Sequence, residues 1–270
     1  MSMLIAGHYC HDTLLGNDGE HRALGGSAAY ASAVLQALGE PYEVAAKVGA
    51  DFVYLDQVYK KPITAGSRTT SFVDDYRSGE RIERVEAVCE PLHPRDLPDG
   101  PHEVGIACAV AGETPLPVLE RLRATCRLVL ADAQGLLREI SPRGEVLLKP
   151  LPPGVLPLLD YLKASRAEAQ RLDLAALRAQ LQALIVTDGP RGCTLFTARD
   201  ELHVPAFRAD EIDPTGAGDC FLAGFAAGLR RGFDAAKAVR LGAWFGARAV
   251  ERVGVPRFTD ADARAALEAA

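Results

Sequence analysis

The 270-residue chain is 48% hydrophobic, carries 25 glycines and has a formal net charge of −6, a composition that suits an α/β protein with a deep core. With no block of like charges, it is read as having neither a nucleic-acid partner nor a membrane surface to bind. Six scattered cysteines without C-x-x-C spacing, and a start with no basic region or long apolar run, lead to the expectation of a cytoplasmic chain with buried, reduced thiols.

Met3 to Ala6 reads as a short buried strand ended by Gly7, and Tyr9-Cys10-His11-Asp12 then falls at its carboxyl end. Open α/β sheets bind ligands outside those ends, so Asp12 is a candidate substrate contact; a loop carboxylate capping a local turn is the alternative. His8 and His11 find no His or Cys cluster that would complete a metal shell, and are read as polar surface or supporting groups. Gly25-Gly26-Ser27 opens an Ala-rich helix that stops at Gly39, with Ser27 as a candidate cap. The paired glycines would let a polyol or sugar approach the backbone closely. Tyr42 to Val48 reads as the next strand.

From Arg68 the pattern changes. Thr69 to Tyr76 and Arg81 to Val88, on either side of a turn, predict a hairpin over about 68–88 that is too charged for a core sheet. It suits a flap over a site, a dimer edge or a plain surface hairpin. After the Pro-rich link 91–101 the alternation becomes regular. Strands are expected over 104–110 and 128–131, the latter ending at Asp132, with a helix over 115–125 between them. A strand at Tyr161-Leu162 leads into Lys163-Ala164-Ser165-Arg166-Ala167-Glu168, followed by helical spacing over 172–184 and a strand to Thr187 tipped by Asp188-Gly189-Pro190-Arg191-Gly192. Cys193 to Thr197 and Glu201 to Val204 add strands. This rhythm predicts a central, mostly parallel sheet flanked by helices, in one domain over 1–270. Two long helices, over 217–231 and 235–253, follow. Phe221, Phe225 and Leu229 recur on one face of the first as a core stripe.

The stretch Ile212 to Phe225 carries the clearest chemistry. A Pro turn runs into Thr215, a candidate N-cap, then into Gly216-Ala217-Gly218 at the head of a helix whose first-turn N–H groups could hold a phosphate. Small residues before a helix also serve close packing alone, and the local pattern leaves both readings open. Asp219 would repel a phosphate unless its task is to take a proton from a nucleophile brought beside it. No Walker sequence, protein-kinase set or G-x-G-x-x-G dinucleotide fingerprint is present. Glu168, three residues after Ser165, is equally readable as half of a capping box.

Asp213-Pro214-Thr215-Gly216-Ala217-Gly218-Asp219 closely resembles the signature of the ribokinase-like (PfkB) carbohydrate kinases, and Gly25-Gly26 before a helix is similar to that family's other signature. The resemblance extends over essentially the whole chain. It implies a ribokinase-like fold with a small β-hairpin lid, ATP as phosphoryl donor and Mg2+ beside it. It further implies Asp219 as general base, Gly216, Ala217 and Gly218 as N–H donors to the transferred phosphoryl, and Asp12, Gly25 and Gly26 at the substrate, with Cys10 where ribokinases commonly have Asn. Thr187, Gly189 and Gly192 resemble the family's nucleotide turn. Ser165 and Glu168 match its Asn-x-x-Glu motif, with Ser in place of Asn and Glu168 reaching the metal through water; Asp213 matches a position that contributes to a monovalent-cation site in some relatives.

Tyr9-Cys10-His11-Asp12, Thr69-Thr70-Ser71-Phe72, Asp132-Ala133-Gln134 with Arg138, and Lys163-Ala164-Ser165 look most like the myo-inositol kinase branch. The expected partner is therefore a small polyol or sugar, for a monomer or homodimer. A kinase for a ketose, pentose or nucleoside, or a non-catalytic sensor, is the alternative. The interval from Asp12 to Gly25 leaves little room for an early lid strand, so the hairpin over 68–88 is expected to form most of the lid.

Overall fold

The computed structural model describes residues 1–17, 19–79 and 81–270. In chain order it comprises β1 (Met3–Ala6), β2 (Cys10–Gly16), β3 (Gly19–Gly25), α1 (Ser27–Ala37), β4 (Tyr42–Ala45), β5 (Lys47–Val48), β6 (Ile63–Thr64), β7 (Ser71–Asp75), β8 (Ile82–Ala87) and β9 (His102–Ala107). Then come α2 (Leu116–Thr125), β10 (Cys126–Asp132), α3 (Ala133–Leu137), β11 (Arg138–Ile140), β12 (Val146–Leu148), β13 (Tyr161–Ser165), α4 (Arg166–Ala169) and α5 (Leu174–Gln180). The chain ends with β14 (Ala183–Thr187), β15 (Cys193–Phe196), β16 (Glu201–Val204), α6 (Ala217–Arg230), α7 (Ala235–Ala249) and α8 (Asp260–Ala269).

Among the described residues the largest sheet has eight strands in the order β16-β15-β14-β13-β10-β9-β1-β4. From β4 to β14 every neighbouring pair is parallel, and β15 and β16 continue it antiparallel. The mostly parallel sheet flanked by helices is the architecture expected. Both faces are covered, which is why its strands read as apolar runs rather than alternating ones. Met3 and Ile5 of β1 join the core beneath α1, α6 and α7, while Leu4 and Ala6 join the opposite core with α2 and α5. The stripe Phe221, Phe225 and Leu229 is buried as predicted. Here α6 meets α7 so closely that a Cβ on Gly242 would lie 2.6 Å from the Phe221 carbonyl oxygen. The helical spacing over 172–184 yields only α5, because the chain must turn through Leu181 and Gln182 to enter β14 at Ala183.

The second sheet departs from expectation. It has four strands in the order β3-β2-β7-β8, with β2 and β7 parallel and the outer pairs antiparallel. The hairpin over 68–88 is therefore only half of this lid; the other half is the hairpin of β2 and β3. After β1 the chain crosses in three residues, Gly7 to Tyr9, and re-enters as a strand whose buried positions are Cys10, Asp12 and Leu14. Pairing of Gly16 with Gly19 fits a return strand into an interval that looked too short. Asp12 accordingly sits inside a lid strand and not at the carboxyl end of β1.

His8, expected at the surface or as a supporting group, is the latter: it is fully buried at that crossing. Its Nδ1 accepts from the Lys47 N–H (3.1 Å) and its Nε2 donates to the Glu90 carbonyl (3.0 Å). It ties together three segments where the lid joins the main sheet. All six cysteines are buried and free, and no helix among the described residues is long and apolar enough to cross a membrane.

Candidate active site

Helix α6 begins without a side-chain cap. The Ncap is Gly216 rather than Thr215, in a left-handed conformation (φ +74°) that glycine adopts without strain. A Cβ there would also strike the Tyr30 ring at 2.1 Å. Thr215 is instead held back, its N–H and Oγ1 both donating to Asp213 Oδ1 (3.0 and 2.6 Å). The Ala217 N–H turns to the Pro214 carbonyl at 3.3 Å, so of the three expected donors Gly216 and Gly218 are the better placed to serve an anion. Helix α1 is likewise uncapped by a side chain: its Ncap is Gly26, at φ +86°, and Ser27 is already inside the helix. By contrast α4, α5, α7 and α8 are each capped by a side chain. The uncapped starts of α1 and α6, unlike that of α2 behind Pro115, open on one cavity of about 280 Å³ between the lid sheet and the main sheet, close to the lower end of the size range of small-molecule sites (about 300–1,000 Å³).

That cavity brings together residues far apart in the chain: Asp12 from β2, Gly26, Ser165 and Glu168 at the end of β13, Thr187 at the end of β14, and Gly216, Gly218 and Asp219. Gly25 lies just behind, where the absence of a side chain makes room for the Asp12 carboxylate; a Cβ would fall 1.8 Å from its Oδ2. Cys10 is not a lining residue. Its side chain is fully buried in a small core with Phe72, Val85 and Val110, and burial followed by the nearby Asp12 pushes its thiol well up. The alternation of β2 turns Cys10 to the same side as Asp12 but one step deeper, which removes it from direct substrate contact.

Asp219 lies in the first turn of α6 and is 8% exposed, and its Oδ1 is buried with no hydrogen-bond partner. Burial, and then the charge of Asp132, push its carboxyl up to about 7, with Lys163 and Arg138 pulling the other way. Burial and then Asp74 raise Asp12 to about 8. A buried carboxyl with its ordinary acidity lost, lining a cavity, marks a candidate functional group. Ser165 and Glu168 form the capping box: the Ser165 N–H donates to Glu168 Oε2 (2.7 Å) and the Glu168 N–H to Ser165 Oγ (3.3 Å). The capping box is thus present, and both residues also line the cavity.

Of the charged residues around the cavity, Arg138 and Lys163 belong to stretches that carried the resemblance, whereas Asp74, Arg81 and Glu83 were not singled out in the sequence. Arg81 donates from Nε and Nη2 to both carboxylate oxygens of the buried Asp74 (2.8 and 2.9 Å), and Arg138 of the main body donates from Nη1 to Glu83 of the lid (3.2 Å). Asp74, Arg81, Glu83 and Arg138 all line the cavity, as does Lys163, whose Nζ donates to Asp132 Oδ2 (2.8 Å). A second cavity of about 560 Å³ adjoins the first and shares Thr187, Pro214 and Gly218 with it. It is walled by Phe207, Ala243, Ala247 and Val250, with Gly189 and Gly192 of the predicted nucleotide turn at one side. The two meet at the head of α6.

The sequence profile described as pfkB family carbohydrate kinase matches residues 106–261. The chain belongs to the pfkB family of carbohydrate kinases. It is 41% identical over 280 aligned residues to an inositol 3-kinase of Zea mays, covering 94% of this chain and 73% of that protein. Solved structures share the fold of this pfkB kinase. A pyrophosphate-dependent kinase in the ribokinase family, complexed with a pyrophosphate analog and myo-inositol, superposes with a TM-score of 0.83 at 20% identity, over 98% of this chain and 100% of that one. The Burkholderia thailandensis nucleoside kinase in complex with inosine superposes with a TM-score of 0.78 at 23% identity, over 99% and 97%.

Proposed function

We propose that this enzyme transfers the terminal phosphoryl group of ATP to a hydroxyl of a cyclic polyol, with myo-inositol as the favoured acceptor. The observation that carries the reading is the Asp219 carboxylate, its Oδ1 without a partner, in a small charged cavity that a larger apolar one adjoins at the neighbouring Gly218. A polyol ring fits the former, where Asp12 and the other lining carboxylates and guanidiniums present acceptors and donors on several sides. Sites of this kind discriminate by leaving their own buried polar groups unpaired when the wrong hydroxyl pattern enters. The apolar cavity beside the Gly189–Gly192 turn suits the flat face of a base, which favours a nucleotide over pyrophosphate as donor. The relatedness to inositol 3-kinases supports the acceptor class.

In this reading Asp219 accepts the proton of the attacking hydroxyl. The N–H groups of Gly216 and Gly218 meet the charge that gathers on the transferred group. Such transfer depends chiefly on positioning and electrostatics. No group of three His, Cys, Asp or Glu among the described residues is arranged to hold a metal ion. Mg2+ would therefore be held chiefly by donor phosphates and water, which is its usual habit, and Glu168, with one oxygen engaged by the Ser165 N–H, is placed to hold one of those waters. When bound it would supply charge neutralisation to the donor phosphates. Asp213 already gives one oxygen to Thr215, and a monovalent cation beside this loop would be a further support.

The test is 31P NMR of a reaction containing ATP, Mg2+ and myo-inositol. A phosphate monoester resonance coupled to one ring proton is expected, and its absence with every inositol tried would overturn the acceptor class.

A further inference from the structure

Lys163 projects from the middle of β13 on the α6 side of the sheet, next to the cavity, and is 6% exposed. Its Nζ makes one hydrogen bond among the described residues, to Asp132 Oδ2 at 2.8 Å. Asp132 does not line the cavity; its other oxygen accepts from the Gln134 N–H at 3.2 Å and caps α3. The pair is thus oriented, with the carboxylate set back and the ammonium forward. An ammonium has three donors, and two are left over. Gly218 shows where the ammonium lies: a Cβ on that residue would fall 2.5 Å from Lys163 Nζ. Gly218 is inside α6 with no left-handed φ, so its backbone would accept a side chain. What a side chain there would displace is the ammonium. Burial favours the neutral amine, but Asp132, Glu168 and Asp219 outweigh it and raise Lys163 above its ordinary value, so the group is a permanent cation.

We propose that Lys163 is a catalytic residue whose ammonium contacts the phosphoryl group in transfer, across Gly218 at the head of α6. This rests on the kinase reading above. Asp219 takes the proton of the acceptor hydroxyl and the acceptor oxygen bonds to the terminal phosphorus. The bond from that phosphorus to its bridging oxygen breaks, and its electron pair leaves on ADP. Lys163 keeps its proton throughout and balances charge on the equatorial oxygens, as fixed cations do in phosphoryl transfer.

The experiment compares the full-length wild type with Lys163→Met combined with Asp132→Asn, which leaves no unpaired buried carboxylate, and with Gly218→Ala, which keeps the lysine but crowds its ammonium. Three readouts are needed: kcat as a function of pH, myo-inositol binding by calorimetry, and pyrophosphate binding by calorimetry as a donor-independent probe of the phosphoryl site. The double variant is expected to lose about 10²–10³-fold in kcat, to remain slow well above the pH at which Asp219 is ionised, and to bind pyrophosphate at least about tenfold more weakly. Its myo-inositol affinity should stay within about threefold of the wild type. Gly218→Ala should move in the same direction with an unchanged melting temperature. Recovery of the wild-type rate at high pH would show that Lys163 acts only by tuning Asp219, and would overturn the proposal. So would unchanged pyrophosphate affinity in the double variant or, should that variant not fold, in Gly218→Ala. If the wild type itself phosphorylates no polyol, the kinase reading fails, and the pyrophosphate titration still decides whether Lys163 faces an anion.

Discussion

The two cavities that meet at Gly218 are built by opposite means. The smaller one is lined by ionisable side chains from both sheets, most of them buried, with Arg138 of the main body paired to Glu83 of the lid. The larger is walled by small and aromatic residues of the loop after β16 and of α7, and borders a turn shaped by Gly189 and Gly192. Buried charges are costly unless paired, so a cavity that concentrates them is suited to reading hydroxyls one by one. An apolar slot reads shape and leaves the polar work to backbone N–H groups. The acceptor side should therefore be sensitive to single charge changes and the donor side to single changes of volume.

Asp219→Asn gives the widest expected separation between binding and chemistry. It should cut kcat by about 10³-fold, within the usual range for a lost general base, while calorimetric binding of myo-inositol and ATP stays near wild type. Asp12→Ala comes next. Its loss should lower kcat/KM for the acceptor by about 10²-fold and leave the KM for ATP unchanged, as steady-state kinetics with each substrate varied would show; an equal effect on both would break the division between cavities. Ala247→Trp, on the apolar wall, should raise the KM for ATP about tenfold without altering acceptor binding in the absence of donor.

Protons give the smaller effects. Asp219 must be ionised to accept a proton, so kcat/KM should fall on the acid side with a limb near pH 7. Stability runs the other way. Asp12 and Asp219 hold protons in the folded state that the unfolded chain releases at its ordinary carboxyl value of 3.8. The folded form is favoured at low pH, and this contribution is lost as pH rises through about 7 to 8. Asp219→Asn should then melt about 2–4 °C above wild type at pH 8, with the gap closing toward pH 4, in a calorimetric scan across pH.

The head of α6 was legible in the sequence because it is contiguous: Asp213 to Asp219 contains the turn, the helix start and the buried carboxylate within seven residues. The parallel sheet was legible because buried parallel strands are uniformly apolar. Asp12 was legible as a residue but not as part of a lid strand, since three crossing residues and the pairing of Gly16 with Gly19 leave no compositional mark. Asp74, Arg81 and Glu83 resist a sequence reading for a different reason, and Arg138 was legible only through the resemblance, not as a partner of the lid. Arg138 and Glu83 are 55 residues apart, and a charged residue on a polar hairpin looks the same in sequence whether it faces solvent or a cavity. Lys163 stood in a stretch that carries the resemblance, but nothing in its neighbours announces that a lysine in an apolar strand is paired with Asp132 and lines a cavity. Thr215 and Ser27 looked like caps because capping propensity is local, whereas the glycines that displaced them answer to Tyr30, His8 and Cys10, distant in the chain and packed directly against them.

The most direct test of the account is a comparison of kcat/KM for myo-inositol, fructose, ribose and inosine, read as ADP release with ATP and Mg2+ in excess. A small, charge-lined acceptor cavity beside a separate apolar donor cavity predicts that myo-inositol leads by at least about tenfold and that inosine, too large for the acceptor side, is poor. Preference for inosine, or equal rates with all four, would contradict it.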